Sequence, residues 1–435
     1  MQKKELIMIE SIIDSQKFSD IERPASESTF LSTSIQDLCS PLIQELSQVL
    51  LKNFEQILPA LRERVTWIRE QKELFRFLAE KSIATESFFE NPNSTQINPN
   101  SLTIPQESGV SGSYFLLDEN KKPLFVIKPN DEDCGCLHNP NGYNTLGLKS
   151  PLRYKMPLYK AALKEALTYE IAQEIGVSNI TPKTTLAILQ SDGFSLLFRP
   201  RIVTTSNISE WTKSSFYSTV LPPQLLDIIP KISTAFTLFI TNFFAQFFIN
   251  YLNKKEIFFD SEKLCSVQTF IPNARPLWSI HDPKNNGTET FDPSQFENCN
   301  ILIWTTHDTD AHGYNILAPP FSTDQNGHTI YGIKKIDNGL TFPIKNGQLR
   351  NSLVYYDQGK APLSPEGKEK IAAIDISSIA NKMRLYGIVE SIPAMEERLT
   401  LLKELAQQDG ITLQEINSAM VENFENLVDS YTTST

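Results

Sequence analysis

The stretch from Phe296 to Phe342 constrains this chain more than any other. It opens on the apolar run CNILIW (Cys299 to Trp304), passes through the polar THDTDAHGY, and returns to an apolar NIL from Asn315. Asp310 and Asn315 therefore lie five residues apart in a polar loop between apolar segments. A second carboxylate, Asp337, follows the strand-like GIKKI and meets a turn-forming Asn338-Gly339. Asx turns capping a surface loop are the ordinary reading of such a pair on turn chemistry alone. Two carboxylates and an amide at loop and strand edges are also what phosphoryl transfer requires. One carboxylate orients the attacking hydroxyl, while the amide and the second carboxylate hold Mg²⁺ on the phosphates.

Length and charge narrow the choice. At 435 residues the chain exceeds one ordinary domain, so two lobes or domains plus an extension are expected. The formal net charge of −11 argues against a general nucleic-acid binder, which needs a basic footprint. Five cysteines (Cys39, Cys134, Cys136, Cys265, Cys299) form an odd, sparse set and favour a reducing compartment over a disulfide framework. Cys134-Gly135-Cys136 with His138 hints at a metal, but a second ligand pair at proper spacing is missing. The start, MQKKELIMIESIID, has too short an apolar run for a cleavable signal peptide.

In chain order, residues 1–30 read as a polar lead. Ser40-Pro41 reads as an N-cap followed by a first-turn proline. Leu42, Leu46, Val49, Leu50, Phe54 and Ile57 recur behind it at helical spacing. A second amphipathic helix follows Pro59, and the Asn/Pro/Ser-rich residues 90–105 read as a linker. Ser113 to Asp118 and Pro123 to Lys128 read as a hairpin around ENKK. Gly109 and Gly112 let backbone N–H groups approach a phosphate there, and Lys128 points one cation toward the same place. A plain surface hairpin with a solvated lysine is the alternative.

Residues 141–164 carry Lys149, Arg153, Lys155, Lys160 and Lys164 among apolar residues and no acid. The stretch reads either as a patch for an anionic bilayer or as a solvated helix face. The helix EALTYEIAQEIGV begins at Glu165, which could pair with Lys128 or lie on the surface. Thr184 to Leu189, Ser195 to Ile202 and Cys265 to Pro272 read as strands. Ile232 to Leu252 is long and apolar, but interspersed Thr, Gln and Asn favour a buried or interfacial helix over a membrane span. Ser279 to Gln295 reads as loop. The tail is helical, with Met395, Leu399, Leu402 and Leu405 on one helix and Ile416, Met420, Phe424 and Leu427 on another. The closing SYTTST is expected to be disordered.

These pieces, in this order from about Ser108 to Gly410, resemble the phosphatidylinositol 3-/4-kinase superfamily, and most closely its type II phosphatidylinositol 4-kinases, with a bacterial-type member expected. The resemblance is carried by GVSGSYFLLDENKKPLFVIKP, NDEDCGCLHNP, KEALTYEIAQEIGVSNITPKT, CSVQTFIPNA, FENCNILIWTTHDTDAHGYNIL, IDNGLTFP and APLSPEGKEKI. It implies an α+β, two-lobed protein-kinase-like fold, with a β-rich N-lobe, a mainly helical C-lobe and a helical N-terminal extension. The corresponding divisions are 1–95 for the extension, 96–275 for the N-lobe with an insertion, and 276–428 for the C-lobe.

The same resemblance implies ATP and Mg²⁺, with Mn²⁺ as an alternative, and transfer of the γ-phosphoryl to an inositol-ring hydroxyl of phosphatidylinositol. It makes Asp310 the catalytic aspartate and Asn315 and Asp337 metal ligands. Ser111, Gly112 and Ser113 would cover the phosphates, Lys128 would contact them, and Gln268, Thr269, Phe270 and Ile271 would frame the adenine. Ala311 departs from the arginine usual after the catalytic aspartate, and His312 is expected to supply positive charge in its place. The palmitoylated cysteine run of eukaryotic type II enzymes is missing. Two other readings stay open, an atypical protein Ser/Thr kinase and a nucleotide-binding pseudokinase-like effector module. The expected partners are ATP and a lipid or protein acceptor, with the Lys149–Lys164 patch on an anionic membrane and no nucleic acid. The expected location is cytoplasmic or peripheral to a membrane, with delivery into a host cell without a cleavable signal as a further expectation.

Overall fold

A computed structural model describes residues 59, 76–79, 102–103, 111–118, 120–136, 138–140, 156–190, 262–280, 290–345 and 349–432. The chain divides at Leu58/Pro59, and all of these residues belong to the second unit. The expected N-terminal extension therefore lies outside the described residues, apart from residue 59 and the helical 76–79, where Leu78 and Ala79 are buried in the main core. The Ser195–Ile202 strand, the Ile232–Leu252 segment and the first three cations of the basic patch also lie outside them.

The fold is mixed helix and sheet. Strands β1 (Leu102–Thr103), β2 (Tyr114–Leu117), β3 (Pro123–Pro129), β4 (Thr184–Gln190) and β5 (Glu262–Thr269) form an antiparallel sheet in the order β1-β2-β3-β5-β4. Side chains alternate across its faces, as the two-residue strand period requires. Tyr114, Leu116, Ile127, Ala187, Cys265 and Val267 make one small core, while Leu186 and Leu264 join the main one with helix α1 (Ala161–Glu174).

Helix α1 begins at Ala161, four residues before the expected Glu165, and is buried nearly all round. The stretch from Ala162 to Tyr169 is buried without interruption, so it cannot leave its charges to solvent. Lys164 and Glu165 are both 1 % exposed, so each must find partners inside.

After the sheet come β6 (Arg275–Pro276), a one-turn helix at Leu277–Ile280 and β7 (Thr290–Phe291). Helix α2 (Pro293–Thr306) follows. Its start lies inside the expected loop, because Asp292 accepts the N–H of Gln295 at 2.9 Å and Pro293 takes the first helical position. Next come β8 (Ile316–Ala318), β9 (Pro320–Thr323), β10 (Thr329–Tyr331) and β11 (Lys334–Lys335). The antiparallel register Lys335↔Ile316 places the segment before Asp337 beside the one after Asn315.

The tail folds into α3 (Pro365–Ala373), α4 (Ile376–Leu385), α5 (Ile392–Ala406) and α6 (Leu413–Thr432). Met395, Leu399 and Leu402 of α5 and Ile416 and Met420 of α6 are fully buried, as their spacing predicts. Helix α6 continues through Ser430, Tyr431 and Thr432, which were expected to be disordered. No glycine or proline interrupts it after Leu413. Among the described residues no helix is long and apolar enough to cross a membrane.

Candidate active site

Three elements deliver the candidate residues to one place. Strand β3 carries Lys128 next to its last residue, α1 carries Glu165, and the turn after β11 carries Asp337. Lys128 Nζ donates to Glu165 Oε1 and to Asp337 Oδ1, each at 2.7 Å. Burial alone would lower the lysine's pKa, but Asp337 and Glu165 outweigh it and hold the ammonium above the ordinary lysine value. Glu165 is also fixed from its other oxygen, which accepts from Gln268 Nε2 at 2.6 Å. The surface reading of Glu165 is thus corrected, because the all-round burial of α1 turns its carboxylate into the anchor of Lys128.

Asp337 sits at φ 58°, a left-handed conformation that aspartate tolerates better than most residues. Its side chain is 50 % exposed, so it faces both Lys128 and open space. Burial works to raise its pKa, yet Lys128, with Lys335 and His312 behind it, holds the carboxyl below the usual aspartate range. It is charged at neutral pH.

The loop after α2 supplies the second carboxylate. Helix α2 ends on His307 at φ 48°, which turns the chain out of the helix. Asp308 is 1 % exposed; its Oδ1 accepts the N–H of Asp310 at 2.8 Å and its Oδ2 pairs with Lys335 Nζ at 2.6 Å. Asn315 Nδ2 donates to the carbonyl of Asp310 at 3.0 Å and to Asp310 Oδ2 at 3.2 Å. With its nitrogen committed to Asp310, the carbonyl oxygen of Asn315 is the atom left to take a metal. That oxygen and the charged, half-open Asp337 make a hard oxygen donor set of the kind that suits Mg²⁺. Partial burial raises the pKa of Asp310, which His312 and Arg350 pull down and Asp308 and Asp337 push up.

His312 does not supply the expected cation. Its Nδ1 accepts the N–H of Tyr314 at 3.1 Å, which puts the proton of the neutral ring on Nε2, 3.5 Å from Asp310 Oδ2. Partial burial holds its pKa below the ordinary histidine value, so the ring is neutral at pH 7. The positive charge comes from Arg350 instead, whose Nη1 lies 3.2 Å from Asp310 Oδ1. The segment around it is tied to the loop, with Arg350 donating its N–H to Asp308 at 3.3 Å and Ser352 to Ala311 at 3.0 Å. Buried Asn351 anchors that segment through Asn300 at 2.7 Å and Asn417 at 3.2 Å.

The glycine loop before β2 is braced from beneath. Ser111 Oγ donates to Asp133 at 2.6 Å and Gly112 donates its N–H to the carbonyl of Glu132 at 3.0 Å. A Cβ on Gly112 would lie 2.2 Å from Glu132 Oε2, so only glycine fits this approach. Glu132 is fully buried and holds Lys263 Nζ at 2.6 Å and Tyr114 OH at 2.5 Å. Ser113 leads from this loop into β2.

The remaining expected residues divide. Gln268 is buried, and its Nε2 donates to Glu165 Oε2 at 2.6 Å. Phe270 bonds to the carbonyl of Leu124 at 2.9 Å and packs edge-on against Phe115, beside exposed Thr269 and half-buried Ile271. Cys134 and Cys136 are buried and burial pushes both thiols up, to about 12 at Cys134, while His138 pairs with Asp131 at 2.5 Å. No group of three metal-binding side chains gathers among the described residues. The basic patch is corrected in part, because Lys160 and Lys164 are 6 % and 1 % exposed and cannot meet a bilayer.

Asp308, Lys335 and Arg350 were missed from the sequence. The only signal for Asp308 was its place two residues before Asp310. Lys335 and Arg350 carried none.

No protein-family profile matches the chain. It is similar to several phosphatidylinositol 4-kinases of Arabidopsis thaliana. It is 22 % identical to phosphatidylinositol 4-kinase gamma 6 over 327 residues, 74 % of this chain and 43 % of that protein. Over 323 residues it is 21 % identical to gamma 5, covering 73 % of this chain and 41 % of the relative. With gamma 3 the identity is 20 % over 331 residues, 73 % of this chain and 46 % of that protein. The chain thus spans less than half the length of these relatives.

Proposed function

We propose that the chain is an ATP-dependent lipid kinase that transfers the γ-phosphoryl group to an inositol-ring hydroxyl of phosphatidylinositol, on the two-lobed protein-kinase-like fold of the phosphatidylinositol 3-/4-kinase superfamily. The sheet with α1 would be the N-lobe and the part from residue 276 the C-lobe, with a bacterial-type, type II-like enzyme as the finer reading. The observation that carries this is Lys128, bound at once to Glu165 and Asp337 and placed at the end of the strand that follows the glycine loop. Similarity to proteins named phosphatidylinositol 4-kinase gamma supports the acceptor.

In this reading Asp310 orients the acceptor hydroxyl and takes its proton at the carboxylate. The raised pKa makes it a better base than an ordinary aspartate. Asp308 sets the direction of the Asp310 backbone, and the neutral Nε2–H of His312 holds the carboxylate from one side. Arg350 offsets negative charge from the other. Lys128 binds the α- and β-phosphates while Ser111, Gly112 and Ser113 cover them, and the backbone from Thr269 to Ile271 borders the adenine. Mg²⁺, or Mn²⁺, held by Asn315 and Asp337, would neutralise charge on the β- and γ-phosphates.

Such an enzyme works in the cytoplasm or at a membrane face, since its acceptor is a membrane lipid. Function as an effector inside a host cell would be consistent with that. The assay is transfer of labelled phosphate from ATP to phosphatidylinositol in detergent micelles, with Asp310→Ala as the blank. Label in protein alone would keep the same residues and favour a Ser/Thr protein kinase. Nucleotide binding without any transfer would favour the pseudokinase-like module.

A further inference from the structure

Lys164 looks from the sequence like part of a surface patch, yet it is one of the most deeply buried cations among the described residues, at 1 % exposure. Its Nζ donates to the carbonyl of Thr341 at 2.6 Å and to that of Phe342 at 3.3 Å, with Met156 Sδ at 3.3 Å. Thr341 and Phe342 end the turn that begins at Asp337. Phe342 is fully buried at φ 49°, a conformation that is a genuine outlier for a bulky side chain. Strained backbone of this kind persists only where its surroundings over-determine it. Here Phe342 donates its N–H to Thr306 at 2.8 Å, and its carbonyl accepts from Ser391 Oγ at 2.8 Å as well as from Lys164.

The neighbouring residue on α1 is Glu165, which holds Lys128, the partner of Asp337 at the start of the same turn. Close packing continues between them. A Cβ on Gly339 would lie 3.2 Å from that of Ala161, and the hydroxyls of Thr168 and Thr341 are 3.3 Å apart.

We propose that Lys164 is a positioning residue for Asp337. It ties the helix that carries Glu165 to the strained end of the Asp337 turn, so that Lys128 and the metal-facing carboxylate keep one fixed relation. The inference rests on the kinase reading of Asp337 given above. Asp133, Asp308, Glu390 and Lys160 are the charged groups that act on Nζ. Burial dominates over the three carboxylates and lowers its pKa to about 7. Its hydrogen bonds to two carbonyls, which need only N–H donors, survive loss of the proton.

The test is calorimetric titration of the full chain with ATP, with and without Mg²⁺, for wild type, Lys164→Met and Lys164→Gln. The Met variant should bind Mg²⁺·ATP roughly tenfold more weakly than wild type, the size expected for one lost buried hydrogen bond, with metal-free ATP within about twofold. The Gln variant keeps a donor on a shorter stem and should fall between; it carries the test alone if the Met variant does not fold. Equal losses with and without Mg²⁺, or none, overturn the inference while the kinase reading stands. Wild type that fails to bind Mg²⁺·ATP removes both.

Discussion

Lys128 Nζ and Asp337 Oδ1 stand 2.7 Å apart across 209 residues of sequence. This contact joins a sheet strand to the turn that follows the last short strand, and in the proposed reading it marks the nucleotide side of the candidate site. Asp337→Asn should keep the fold, since the side chain is half exposed, while the charge that faces Lys128 disappears. Affinity for Mg²⁺·ATP should fall by about tenfold or more, as for loss of a charge-assisted contact. Titration calorimetry reads this directly, and an unchanged Mg²⁺ dependence would count against Asp337 as a metal ligand.

Glu165 is the buried half of the same arrangement, bound by Lys128 and Gln268. Glu165→Gln leaves Lys128 with a single carboxylate partner, Asp337, and takes away the buried charge that fixes the ammonium from the α1 side. The expected effect is a fall in kcat/KM on the order of 100-fold, comparable to removal of one preorganised electrostatic group. Steady-state kinetics at varied ATP measures it. A loss below about threefold would return Glu165 to a packing role.

Beneath the loop that carries Asp310, Asp308 and Lys335 form an ion pair with each side chain 1 % exposed. Asp308→Asn leaves Lys335 charged and buried without its partner, a change that typically costs about 3–5 kcal/mol. Urea unfolding should show it as a lower midpoint at unchanged slope. The double variant Asp308→Asn/Lys335→Met should recover much of the loss, because it removes the stranded charge. A single variant as stable as wild type would mean that the pair does not hold the loop.

The buried Lys164 makes stability depend on pH with a definite sign. Folding lowers its pKa from 10.5 to about 7, chiefly by burial. Between those values the folded protein has released the proton and the unfolded chain still holds it. The unfolded state then binds more protons, so this group makes stability rise with pH across that window. Lys164→Met should flatten the rise. Urea midpoints measured from pH 7 to pH 10 test it, and parallel profiles for the two proteins would exclude Lys164 as the source.

Much of the candidate site was legible because its residues sit in loops and turns whose chemistry is local. Asp310, Asn315 and the Asp337-Asn338-Gly339 turn announce themselves by residue type and spacing, and the hairpin that carries Lys128 follows strand alternation. Partnership across the fold was not legible. Glu165 and Lys164 lie in a run that reads as an amphipathic helix with a wet face, and only the packing of α1 from Ala162 to Tyr169 removes that face there. Arg350 lies 40 residues beyond Asp310, joined to it by a bridge between Ala311 and Asn351 that no periodicity foretells. The start of α2 was legible in principle, since Asp292-Pro293 is an N-cap followed by a first-turn proline, but the polar residues before it read as loop.

The central claim is that Asp310 serves transfer from ATP to a lipid hydroxyl. The measurement that tests it most directly is label transfer from radioactive ATP with Mg²⁺, run side by side on phosphatidylinositol micelles and on a protein extract. Wild type should label the lipid, and Asp310→Ala should lose at least about 10³-fold of that activity while binding ATP nearly as well, since a catalytic base acts on the acceptor rather than on the nucleotide. Lipid labelling that survives Asp310→Ala, or label that enters protein and never lipid, would contradict the account.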